Sequence, residues 1–292
     1  MNTNVLVALK NILDNPTNEL LDIYDGAVHN RANNMGDALE YYIKDLFCSS
    51  IHINNFSEKD KIYSKYLSYL GNSNNPPDFI IKKSSAIEVK KIENLSFGDI
   101  ALNSSHPKDY LYSNSTLINT ACKECENEYG GWNKKEMIYA IGNVIKKELR
   151  LLWLLDGACY CADDGIYKKI KSTIQTGVKT IQGVEFADSR ELGKVKKIDP
   201  LGVTDLRIRG MWSIKHPMKV FDYLVEDYKK DTVFQVYCLL LKDKFDRINV
   251  DDKANLLEYI NKGQLIKEDV KIKNPNNPAQ FLDAIFFKIN VD

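Results

Sequence analysis

The chain has 292 residues, 44% hydrophobic and 27% charged, which is enough to bury a full core and excludes a disordered or fibrous protein. Forty basic residues balance forty acidic ones, so the molecule as a whole is not a polycationic nucleic-acid coat. No window approaches the run of about 20 apolar residues that a membrane span needs, and Met1-Asn2-Thr3-Asn4 does not open a charged-then-apolar signal sequence, so a cytoplasmic protein with no membrane partner is expected.

Val5 to Leu13 has helical apolar spacing and stops near Asn15-Pro16. Met35 to Phe47 predicts a second helix whose buried stripe is Leu39, Ile43, Leu46 and Phe47. Glu40 lies off that stripe, free to reach the strands that follow or to stay a solvated charge. Ile53 to Gly71 reads as a polar connection and a third helix ending in glycine. Pro76-Pro77 keeps its neighbourhood out of helix. Beyond it, Asp78-Phe79-Ile80-Ile81 and Ala86-Ile87-Glu88-Val89-Lys90 read as two adjoining strands interrupted only by Ser84-Ser85. Phe97 to Glu128, rich in Ser and Asn, predicts loop with short helix. Glu136 to Val144 and Leu149 to Gly157 are strands joined by a Lys-Lys-Glu turn. Asp163-Asp164 suits the N-cap of a helix from Ile166 to Thr176 that stops at Gly177. Val203 to Ile214 predicts another strand, Pro217 opens a helix to about Val225, and the tail from Thr232 mixes apolar runs with a helix near Asp252 to Asn261. With no repeat and no linker, the pattern predicts an α/β layered fold with a central mixed β-sheet flanked by helices, in one domain spanning 1–292.

The chemistry concentrates at the two strands after Pro77. Alternation puts Glu88 and Lys90 on one face while Ile87 and Val89 point to the core, with Asp78 at the base of the hairpin. Two carboxylates and a backbone carbonyl supply the oxygen ligands that Mg2+ prefers, with water completing the octahedron. Such a metal lowers the pKa of a bound water and steadies charge on a phosphate under attack, and Lys90 is placed to orient or deprotonate that water. The plainer reading is an edge hairpin with solvated charges, which explains Lys82 and Lys83 but not the shared face of Glu88 and Lys90. Cys122 and Cys125 with Cys159 and Cys161 have the number for a zinc site, although small buried thiols in a reducing cytosol are the ordinary explanation and fit six unevenly spaced cysteines better.

Four stretches carry a resemblance: Ile87-Glu88-Val89-Lys90-Lys91-Ile92-Glu93, Leu102-Asn103-Ser104-Ser105-His106-Pro107-Lys108, Ile138-Tyr139-Ala140-Ile141-Gly142, and Asp199 to Trp212. Together they are similar to the type II restriction endonucleases of the NgoPII group over most of Asp78 to Tyr223. The resemblance implies a restriction-endonuclease-like fold of the PD-(D/E)xK superfamily, a catalytic core at about 35–225, and Mg2+-dependent cutting of double-stranded DNA. The site in the group's namesake is GGCC. Asp78, Glu88 and Lys90 match the superfamily's catalytic positions, Asp78 and Glu88 being the metal ligands. Glu40 is carried over as a further catalytic carboxylate, and residues 226–292 keep no assigned role.

Guanine offers O6 and N7 acceptors that an arginine fork matches in a bidentate way. Arg207 and Arg209, two apart on the predicted strand, are the first choice as base readers, with phosphate contact the alternative. They belong to a run from Lys194 to Lys219 with seven basic residues against Asp199 and Asp205, a local basic face in a neutral chain. Asn103, Ser104, Ser105 and Lys108 are candidates for holding the scissile phosphate or a base edge. His106 is read as structural or as a base, and Trp132 and Trp212 as packing residues. A palindromic site favours a homodimer, and a self-toxic nuclease needs a cognate DNA methyltransferase. A structure-directed repair nuclease of the same fold, a catalytically silent DNA-binding protein and, last, a small-molecule α/β enzyme are the alternatives.

Overall fold

The computed structural model describes residues 2–20, 31–181, 185–187 and 192–291, without the side chains of 31–37 and 187. Its helices include α1 (Val5–Asp14), α2 (Arg31–Cys48), α3 (Phe56–Tyr66) and α4 (Asp164–Val178). The strands are β1 (Leu67–Tyr69), β2 (Phe79–Ile81), β3 (Ala86–Ile92), β4 (Ile100–Asn103), β5 (Tyr110–Tyr112), β6 (Lys134–Ile145), β7 (Glu148–Asp156), β8 (Glu185–Ala187), β9 (Gly193–Lys196), β10 (Leu206–Ile208), β11 (Trp212–Ile214), β12 (Phe234–Leu241), β13 (Ile266–Asn274) and β14 (Asn277–Val291). Among the described residues, nine strands form one sheet in the order β1-β2-β3-β6-β7-β12-β14-β13, with β5 pairing onto β6. It is mixed: β3–β6 and β7–β12 run parallel and their neighbours antiparallel. This is the restriction-endonuclease-like arrangement of a central mixed sheet flanked by helices.

Alternation along the central strands feeds two cores. On one face, Leu39, Tyr42, Ile43, Leu46 and Phe47 of α2 close over Phe79, Ile81 and Ile87. On the other, Ile80, Ala86, Met137, Tyr139, Trp153 and Phe286 pack together. Each leucine, isoleucine, methionine and phenylalanine among them, fully buried, contributes roughly 1.5–3 kcal/mol. Because Ala86 belongs to the second face, the period of two sends Glu88 and Lys90 to that face as well, away from α2.

Three sequence expectations change. The third helix ends at Tyr66, and Leu67–Tyr69 becomes the strand β1 against β2. Gly71 does not cap a helix; it sits at φ +86°, where a Cβ would lie 2.1 Å from the Asp78 carbonyl oxygen. The single strand expected over Val203–Ile214 is two short ones in different sheets, β10 pairing with β9 and β11 with β4, broken at Arg209-Gly210-Met211. The Phe97–Glu128 stretch also holds more order than expected, with β4, β5 and a short helix at Thr120–Glu124. The C-terminal part supplies β12, β13 and β14 to the main sheet, where Phe234, Val236, Cys238, Ile285 and Phe287 are core. No helix among the described residues is long and apolar enough to cross a membrane.

Candidate active site

Hairpin register assembles the acidic pair. Phe79 faces Ile87, and the Asp78 amide donates to the Ile87 carbonyl at 3.0 Å, so Asp78 and Glu88 come to facing positions. Asp78 Oδ2 accepts the Val89 N–H at 2.5 Å, which fixes the carboxylate across the two strands. Two residues on, Lys90 Nζ donates to Glu88 Oε1 at 2.6 Å. The far end of the hairpin is held by a pair that no sequence pattern signals. Glu126 accepts the Lys83 N–H at 2.8 Å and pairs at 2.9 Å with buried Lys135, whose ammonium also reaches the Ser84 carbonyl at 3.1 Å.

A cleft of about 570 Å³ opens over these residues. Asp78, Glu88 and Lys90 line it together with Asn103, Ser104 and Ser105, and with Arg209 and Trp212. The β4–β11 ribbon, in which Asn103 pairs with Trp212, joins these two groups. Asn103 carries φ +52°, a left-handed conformation that asparagine tolerates better than most residues.

Burial first, and then the charge of Glu88, push the Asp78 carboxyl far above the ordinary carboxylate range, against the opposing pull of Lys90. Burial works to lower the Lys90 ammonium, but Glu88 and Asp78 outweigh it and hold it above the usual lysine value. Glu88 Oε1 is engaged by Lys90, while Oε2 is buried with no hydrogen-bond partner. An orphaned carboxylate oxygen beside a second carboxylate that resists ionisation is a donor set in want of a cation, and it fits a hard divalent metal completed by backbone carbonyl and water. No cluster of three or more His, Cys, Asp and Glu side chains forms a metal site among the described residues.

The remaining expected residues fall in different places. Glu40 lies on α2, pairs with Lys44 at 2.6 Å, and acts on Asp78 and Lys90 through its charge. Lys108 is buried; its ammonium donates to the Ser105 hydroxyl and, at 3.1 Å, to the His106 carbonyl, so it braces the loop from within. Burial lowers its pKa, opposed by the charge of Glu88. Arg207 sits in β10 facing Lys194, outside the cleft lining, whereas Arg209 follows the strand's end and lines it. The two arginines therefore do not share a strand face as the sequence suggested. His106 is buried, bonded to Asp164 at 2.6 Å and stacked on Tyr167 at 5.5 Å, a tie between the loop and the start of α4. Trp212 is half-buried, edge-on to Tyr167 at 5.6 Å while lining the cleft, and Trp132 donates to the Cys122 carbonyl at 3.2 Å. All six cysteines are unpaired thiols.

Fold and site define a restriction-endonuclease-like protein with a two-carboxylate, one-lysine centre. The NgoPII restriction endonuclease family model matches residues 3–273. The chain is 42% identical, over 282 residues, to the type II restriction enzyme NgoPII of Neisseria gonorrhoeae, covering 96% of this chain and 97% of that one. The chain thus belongs to the NgoPII restriction endonuclease family and is a site-specific deoxyribonuclease of type II. No solved structure matches it.

Proposed function

We propose that this enzyme makes Mg2+-dependent double-strand cuts in DNA at a short palindrome, GGCC by its likeness to the NgoPII group, working as a homodimer in the cytoplasm beside a cognate DNA methyltransferase. The observation that carries the chemistry is the orphaned, buried Glu88 Oε2 in a cleft that Asp78 and Lys90 also line. Asp78 and Glu88 would hold the cation, which when bound stabilises the charge growing on the phosphate and acidifies water. Lys90, kept protonated by its two carboxylate neighbours, donates to the attacking water and orients it in line with phosphorus. Displacement of the 3′ oxygen leaves a 5′ phosphate with no covalent intermediate. Glu40, paired with Lys44, adds its negative charge to this centre.

Asn103, Ser104 and Ser105 hold the scissile phosphate or a neighbouring base edge, with Lys108 bracing their loop. Arg209 reads guanine from the opposite wall and Arg207 contacts backbone phosphate. Two-fold symmetry of the DNA site then asks for two copies of the chain, one centre per strand.

Digestion of unmethylated phage DNA with Mg2+ and with EDTA, followed by sequencing of the fragment ends, tests the reading. Discrete Mg2+-dependent fragments that all end in one palindrome are expected. A smear, or uncut DNA under every condition, would overturn it.

A further inference from the structure

The turn of the catalytic hairpin, Lys82 to Ser84, forms part of the wall of a second cavity, of about 780 Å³, which shares no lining residue with the cleft. At roughly 3.3 Å per residue along β3, Ser84 lies about 13 Å from Glu88, so this is a separate place. Six basic side chains line it, Lys82, Lys83, Lys134, Lys135, Lys244 and Arg247, against the carboxylates of Glu126 and Glu136. Half of the cations are committed within the protein: Lys135 to Glu126 at 2.9 Å, Lys244 to Asp156 at 2.6 Å and Arg247 to Glu136 at 2.8 Å.

The other three make no ion pair among the described residues. Lys83 rests over the Tyr129 ring at 4.4 Å, Lys134 over the Tyr110 ring at 3.3 Å, and Lys82 donates to the Ser64 carbonyl at 2.5 Å. Ammonium groups that share a cavity without counter-charge repel one another within a Debye length of about 8 Å, and a bound anion converts that repulsion into affinity. Lysine suits phosphate as a point charge. Half-buried Trp132 and exposed Tyr129, also in the lining, add aromatic surface of the kind on which a base stacks. The volume is that of a small-molecule site and far exceeds what a lone phosphate fills.

We propose that this cavity binds a nucleotide through its phosphate, apart from the scissile one, either as a free nucleotide or as one unit of a DNA strand. The full-length protein in EDTA, where it does not cut, is titrated at physiological salt with a fluorescent deoxynucleoside triphosphate and with a short labelled single strand, reading anisotropy. At least one probe should bind. The exposed double substitution Lys83→Gln/Lys134→Gln should weaken it about tenfold or more, and charge reversal at Lys83→Glu should weaken it further. Lys271→Gln, on β13 and in the lining of neither cavity, should leave it unchanged. Binding of the triphosphate alone assigns the site to free nucleotides, and binding of the strand assigns it to DNA. The proposal fails if neither probe binds, if the lysine variants bind as the wild type does, or if Lys271→Gln weakens the binding as much as they do.

Discussion

The two walls of the cleft are built on different principles. Glu88 and Lys90 stand on β3 and Asp78 at the head of β2, interior strands of the nine-stranded sheet, hydrogen-bonded across the hairpin and backed by a fully buried core. Arg209 and Met211 come from a break between two short strands, and Met211 is 75% exposed. The contrast follows from what each wall must do. In-line attack tolerates little error, since a misplacement of about 1 Å can cost around a hundredfold in rate. A base-reading side chain has to stay open until DNA arrives, and a loop on a rigid frame gives it that freedom. A catalytic wall locked by register beside a recognition wall held by short ribbons also lets the second vary without disturbing the first.

The comparison breaks first, if it is wrong, at Lys90. Lys90→Ala should lower cutting of a cognate duplex by about three orders of magnitude or more while sparing sequence-specific binding measured in Ca2+. Loss of binding as well would make Lys90 a support of the fold. On the other wall, Arg209→Ala should cost roughly 1–3 kcal/mol of cognate binding, about five- to 150-fold, and far less on random DNA. Arg207→Ala should weaken both about equally and flatten the salt dependence by one phosphate contact, a slope change of about 0.9. Equal losses in the two arginine variants on the two DNAs would erase the distinction between them. Gly71→Ala probes the frame: its Cβ would meet the Asp78 carbonyl at 2.1 Å in a left-handed backbone, and a loss of roughly 1–3 kcal/mol in chemical denaturation is expected. Wild-type stability in that variant would mean that the Asp78 segment can move freely, against the fixed wall described above.

How much of this was legible in the sequence differs between the walls for the same reason that they differ in structure. The hairpin announces itself through alternation, so the common face of Glu88 and Lys90 and the burial of Ile87 follow from period two alone. The stripe Leu39, Ile43, Leu46 and Phe47 is fully buried for the matching reason at period 3.6. Leu67–Tyr69 is ambiguous in the sequence because three apolar-polar-apolar residues after a helix fit either element, and only pairing with β2 decides. The shared strand face expected of Arg207 and Arg209 does not form because β10 ends at Ile208, and a glycine in a strand pattern such as Gly210 marks a bend without saying which way the chain turns. Burial of Lys108 and the Glu126–Lys135 tie depend on which loops come together over the hairpin, information that local spacing does not carry.

The smallest effect tests the electrostatics of the fixed wall without any DNA. In the metal-free protein, burial and the charge of Glu88 push Asp78 up to about 8 from an ordinary 3.8. A carboxyl whose pKa is raised on folding contributes stability that is fully present below the unfolded value and is lost as pH rises through the folded one. The melting temperature of the metal-free enzyme should therefore fall as pH climbs from near 3.8 to about 8, after allowance for other groups. Asp78→Asn keeps the shape and removes the ionisation, so at the alkaline end it should gain at least about 1 kcal/mol, or roughly 2–4 °C, while losing cleavage. Mg2+ should raise the melting temperature of the wild type and do little for the variant, because the cation supplies the counter-charge that Asp78 lacks when the site is bare. A wild-type profile parallel to that of Asp78→Asn, or an equal response of both to Mg2+, would show that the two acids are not in electrostatic conflict and that the cation is held elsewhere.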